Sequence, residues 1–98
     1  MQDEQQYIPA GELCAYYDVE LTFISSLEEY GLIEINQVAE KKLIPLDKLQ
    51  ELEKFIHLHY DLDINIEGID AIQHLLQRVK SMQAEVDALR NKLKMYEM

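Results

Sequence analysis

Ninety-eight residues, 48% of them hydrophobic, carry a formal charge of −10 at pH 7; that length suits one small head with an extended tail and is too short for a large catalytic cleft. Residues 1–40 hold nine carboxylates and no Lys or Arg, a net −9, while residues 41–98 are nearly balanced at −1, which argues against a polyanionic partner for the N-terminal part and for a basic one. A lone cysteine, Cys14, permits no internal disulfide, and without a basic-then-apolar leader or an apolar run of membrane length the chain reads as soluble and cytoplasmic.

Met1 to Gln6 is polar and reads as a frayed end. Tyr7-Ile8 suits the start of a short extended piece, and Pro9 suits the entry to a first helix in which Leu13, Tyr16 and Tyr17 are spaced i, i+3, i+4. Asp18-Val19-Glu20 is a tight connection with Val19 turned inward, although it lacks the glycine common in such turns. In the second helix Phe23, Ile24 and Leu27 share one face and Thr22, Ser25, Ser26 and Glu29 the opposite one, so the first is core and the second solvent. Gly31 stands where a helix commonly ends in a left-handed residue.

Leu32 to Ile35 then alternates like a short strand, and with Leu43-Ile44 across the polar tip Asn36 to Lys42 it predicts a two-stranded wing. Pro45 fits the first turn of a third helix, where Leu49, Leu52 and Ile56, with Phe55 alongside, repeat at helical spacing and Asp47 and Lys48 stay solvated. Tyr60 to Ile64 breaks that stripe. Asn65 is a fitting N-cap for the last helix, with Glu67 in its first turn where the helix dipole favours a negative charge.

The last third has the strongest period. Ile72, Val79, Val86 and Leu93 recur every seven residues, as do Leu75, Met82, Leu89 and Tyr96 in the other register, the signature of a coiled coil and of a homodimer through these eight side chains. Arg78, Glu85 and Lys92 flank the seam on one side and Gln83, Arg90 and Glu97 on the other, so parallel strands would pair Glu85 with Arg90 and Lys92 with Glu97. Such exposed pairs contribute only ~0.2–1 kcal/mol each and leave the orientation open. Leu76 widens the stripe at its start, as expected if the helix begins packed on the head; folding the whole seam back onto its own domain is the competing arrangement.

Glu12-Leu13, Val19, Glu28 and Tyr30-Gly31-Leu32-Ile33, followed by a wing, a third helix and a coiled-coil tail, resemble the MerR-type winged helix-turn-helix family over nearly the whole chain. The resemblance implies a mainly α fold, with a winged helix-turn-helix head over residues 1–64, a small two-stranded wing, and a long coiled-coil helix over residues 65–98. The small size and acidic head are more similar to the CbpM-type chaperone modulators, which bind the J-domain of a DnaJ-like (CbpA-type) co-chaperone and modulate its work with an Hsp70. Where DNA-binding members carry an Arg-Tyr-Tyr run this chain has Ser25, Ser26 and Leu27; the wing Arg is matched only by Lys42, and the aromatic two residues later by Ile44. Metal-sensing members place cysteines near the coiled coil, and Cys14 is on the first helix.

The expected function is therefore a non-catalytic, protein-binding modulator whose head surface uses Tyr16, Glu20, Leu21, Glu28, Glu29, Tyr30 and Glu34; the alternative is a MerR-family DNA-binding regulator. No cofactor or metal is expected. His57 and His59, two apart on a helix, point ~200° apart, and His74 is on another helix. Glu28 and Glu29 are helix neighbours facing different directions, not an acid/base dyad. Cys14 has no basic neighbour and reads as a small core residue, and at least half of the six tyrosines read as packing residues. Gly11, Gly31 and Gly68 form no phosphate-binding loop.

Overall fold

Strand β1 (Tyr7–Pro9) leads into helices α1 (Ala10–Tyr17) and α2 (Leu21–Glu29) in a computed structural model that describes residues 6–97. A hairpin of β2 (Asn36–Val38) and β3 (Lys41–Pro45) follows, then a 3-10 turn (Leu46–Lys48), α3 (Leu49–Ile56), a π-helical turn (His57–Asp61) and α4 (Ile66–Tyr96). The expectation for Met1 to Gln5 lies outside the described residues.

Leu13 of α1, Phe23, Ile24 and Leu27 of α2, Leu52 and Phe55 of α3 and Ile69 of α4 form the buried core, with Val19 turned in from the α1–α2 connection as its apolar character predicts. Burying each Leu, Ile or Phe stabilises the head by ~1.5–3 kcal/mol relative to leaving it in water. That connection needs no glycine because Asp18 takes the left-handed conformation at φ 58°, and the Val19 N–H then bonds back to the Cys14 carbonyl at 3.0 Å. At the end of α2, Gly31 does so at φ 73°: its N–H meets the Glu28 carbonyl and the Leu32 N–H the Leu27 carbonyl, both at 2.9 Å. Two carbonyls that helix termination would strand are thus satisfied.

Several expectations need correction. Leu32 to Ile35 is not a strand: Ile33 is buried and Leu32 and Ile35 pack against the core, so the segment plugs the head while Asn36–Val38 supplies the first wing strand. The sheet has three strands, in the order β1-β3-β2 and antiparallel throughout, because Ile8 pairs with Ile44 across the head. Pro45 ends β3 opposite Tyr7 instead of starting α3, a place where its missing N–H costs no helix bond. Tyr16 is 80% exposed and outside the core, and Tyr7, Tyr30 and Tyr60 are exposed as well, leaving Tyr17 as the partly buried tyrosine of the head. Winding continues past Ile56 through the π turn to Asp61 before the chain breaks.

Asn65 caps α4 as expected, its side-chain oxygen accepting from the Gly68 N–H at 2.8 Å. Ile66 and Ile69 anchor this 31-residue helix to the core, whereas Leu76 is 39% exposed. From His74 to Glu97 every residue is exposed. At 1.5 Å per residue α4 is about 46 Å long, and it dominates a molecule measuring 59 × 42 × 20 Å.

Candidate partner-binding surface

Helix α2 determines how the surface is laid out. Because Phe23, Ile24 and Leu27 face the core, the outward strip carries Leu21 (50% exposed), Thr22 and Glu29, with Ser25 and Ser26 half-buried beside them. Glu20 stands at its start: the Glu20 N–H donates to the Tyr60 hydroxyl at 3.1 Å, and Thr22 Oγ1 lies 3.4 Å from the Glu20 carboxylate. Phe23 is held from behind by His59, stacked at 4.5 Å, and by Tyr60, edge-on at 5.3 Å.

The remaining glutamates and Tyr30 fall on different flanks. Glu28 faces the wing, where Lys42 Nζ lies 3.8 Å away in an exposed pair that contributes little. Tyr30, two residues on and therefore ~160° around the helix, turns towards α4 and donates from its hydroxyl to Glu67 at 3.1 Å. This bond, with the charge of Glu67 beside it, raises the Tyr30 pKa. Glu34 follows the Gly31 turn and joins Tyr30, Lys48, Glu51, Asp70 and His74 around a polar cavity of ≈ 320 Å³. The seven predicted residues thus do not form one patch: Glu20, Leu21 and Glu29 share the outward strip, Glu28 lies on the wing side, and Tyr30 and Glu34 lie on the α4 side. Tyr16 is on α1, edge-on to Tyr17 at 5.0 Å.

Sequence reading missed Glu51, Glu67 and Asp70, which bring three further carboxylates to the α4 side. They come from two other elements, so no local spacing links them to Tyr30 or Glu34; only the N-cap at Asn65 hinted that Glu67 begins a helix. A second hollow of ≈ 470 Å³ opens between Leu21, the start of α1 at Ala10 and Gly11, and the wing residues Glu40, Lys41 and Lys42. It brings the wing lysines to the edge of the α2 strip.

Other titratable groups serve packing. Tyr17 donates to Glu53 at 2.6 Å, and that hydrogen bond, helped by burial, pushes its pKa up to about 12. Burial likewise raises the Cys14 thiol, which packs partly buried against the core. His59 Nδ1 lies 2.9 Å from the Ile64 carbonyl, so that nitrogen must carry the proton. His57 meets Asp61 at 2.8 Å and His74 meets the Asp70 carbonyl at 2.8 Å. Among the described residues no three His, Cys, Asp or Glu side chains are grouped to hold a metal ion, and no helix is long and apolar enough to cross a membrane.

A family model described as MerR HTH family regulatory protein matches residues 8–91. No curated protein and no solved structure matches the chain.

Proposed function

The chain belongs to the family of MerR HTH regulatory proteins, and within it we propose a non-catalytic modulator of the CbpM type, acting in the cytoplasm, whose acidic head takes the J-domain of a DnaJ-like co-chaperone. The observation that carries this reading is electrostatic: the first 40 residues contribute no Lys or Arg, and the helix that would read a duplex exposes Leu21, Thr22 and Glu29. Duplex affinity rests on cations that displace condensed counterions, and major-groove reading rests on Arg, Lys, Asn or Gln. Two wing lysines stand against that deficit, and one of them, Lys42, is already beside Glu28.

J-domains present a basic helix to their Hsp70, as the family resemblance implies, so a surface of this sign suits it. Charge complementarity mainly sets on-rate and specificity. Leu21, 50% exposed beside Glu20 and Glu29 on the outward strip, supplies apolar area for the affinity itself. Occupying that helix would exclude Hsp70, and a mechanism of mutual exclusion requires no catalytic residue. Calorimetry against the cognate J-domain, comparing the wild type with Glu28→Lys/Glu29→Lys, tests the reading: weaker binding by the variant supports it, equal affinities remove the α2 face as the site, and no binding by either removes the J-domain.

One observation favours a second reading. The family is described as regulatory, and a DNA-binding regulator would show submicromolar, salt-sensitive gel shifts with the region upstream of its own gene.

A further inference from the structure

We infer that the cavity between the end of α2, the start of α3 and the start of α4 takes an arginine side chain from a basic protein partner. It encloses ≈ 320 Å³, which is room for one side chain and lies at the small end of the range for ligand pockets. Its charged lining sets Glu34, Glu51 and Asp70 against Lys48, with Glu67 just behind Tyr30. Among the described residues no Lys or Arg is paired with these carboxylates, so the cavity keeps a negative field that its walls concentrate.

The hydrogen-bonding capacity of the walls points the same way. Tyr30 gives its hydroxyl proton to Glu67, which leaves its oxygen as an acceptor. His74 Nδ1 lies 2.8 Å from the Asp70 carbonyl and donates to it, so Nε2 of the neutral ring is an acceptor too. Gln73 Nε2 donates to Glu51 at 3.3 Å, which fixes the orientation of the amide, and its Oε1 is shut off from solvent without a donor. A buried acceptor in that state is unfavourable, and a small rotation of the amide would bring it to a donor held in the cavity. The group that complements acceptors on several sides is planar, permanently charged and rich in donors: a guanidinium carries five N–H groups in a fixed fork, whereas an ammonium is a point charge with three. The walls are also set in advance, since the Gly31 turn is closed by two backbone bonds and the Tyr30–Glu67 and Gln73–Glu51 bonds tie α4 to its neighbours; entry therefore costs little reorganisation. A basic helix lying along the outward strip reaches this cavity, because Glu29 on the strip directly precedes Tyr30 on the wall. That the helix belongs to a J-domain rests on the function proposed above; the chemistry of the cavity does not.

Amide chemical shifts of the isotope-labelled full chain, titrated with Nα-acetyl-arginine amide and with its citrulline counterpart, test the cavity itself. Citrulline has the same length but carries a neutral urea in place of the guanidinium. Shifts confined to residues 31–34 and 70–77, with the arginine amide alone, are the expected result. Calorimetry with the cognate J-domain tests the source of the side chain. Glu51→Gln and Asp70→Asn each remove one charge at nearly unchanged shape and should weaken binding about tenfold, while Asp87→Asn, the same loss on the distal part of α4, should leave it within about twofold. A wild type that binds no J-domain, yet shows the localised shifts with the arginine amide, supports the cavity and removes the J-domain reading. Absence of localised shifts, equal shifts with the citrulline amide, or J-domain affinity unchanged in both Glu51→Gln and Asp70→Asn overturns the inference.

Discussion

Gly31 and Ala39 both hold positive φ, at 73° and 59°, and the two positions predict opposite responses to substitution. A Cβ at Gly31 would meet no atom within 4 Å, so Gly31→Ala isolates the backbone term, a loss of ~1–2 kcal/mol. Ala39 already bears that strain at the tip of the wing, and Ala39→Gly should stabilise by about 1 kcal/mol, less whatever unfolded-state entropy glycine adds. Urea denaturation of both variants measures the signs. Gly31 was legible in the sequence because glycine announces its conformation; Ala39 was not, because alanine signals no turn. At Tyr17 the folded-state pKa of about 12 lies above the ordinary tyrosine value of 10.0, so the stabilisation is complete below the lower value and is lost as pH rises towards the upper one. Tyr17→Phe should flatten the fall in stability across that alkaline window, as thermal melts at stepped pH would show.

Among the elements, α1, α2 and α4 were legible because each carries its own period and stop signals: Leu13, the Phe23-Ile24-Leu27 face, Gly31, and Asn65 with its heptads. Leu32 to Ile35 deceived because alternation reads the same whether a segment pairs as a strand or lays Ile33 into a core as a plug. Strand β1 was invisible as a sheet member since its partner, Ile44, is distant in sequence. The π turn could not be seen either, as helical spacing up to Ile56 does not reveal the extra residue per turn that brings His59 and Tyr60 onto Phe23. The start of α4 gives a sharp test. Asn65→Ala should cost about 1 kcal/mol through loss of the cap. Gly68→Ala, favourable by helix propensity alone, should also destabilise, because its Cβ would lie 2.7 Å from Ile64 Cγ2 and 3.1 Å from the capping oxygen. Thermal denaturation in which Gly68→Ala melts above the wild type would contradict that packing.

For the whole molecule, the acid-rich N-terminal part was plain from composition, but the surface it forms was only partly so. Thr22 and Glu29 were read as solvent-facing on α2 and are exposed, whereas the division of Glu28 from Tyr30, and the gathering of Glu51 and Asp70 beside Glu34, depend on tertiary packing. If α4 joins two copies, each particle presents two heads, and a J-domain should bind with a stoichiometry of one per chain; a tethered pair of J-domains should then bind more tightly than a single one through effective concentration. Electrostatic attraction also predicts that association slows as salt shortens the Debye length.

The central claim is that the head takes a basic protein helix and not a duplex. Fluorescence anisotropy of the labelled full chain, titrated in one buffer with the cognate J-domain and with the DNA upstream of its own gene, tests it most directly. Saturable binding of the J-domain that weakens in Glu28→Lys/Glu29→Lys, with no submicromolar binding of DNA, is the predicted result. Tight, salt-sensitive binding of the DNA with none of the J-domain would contradict it.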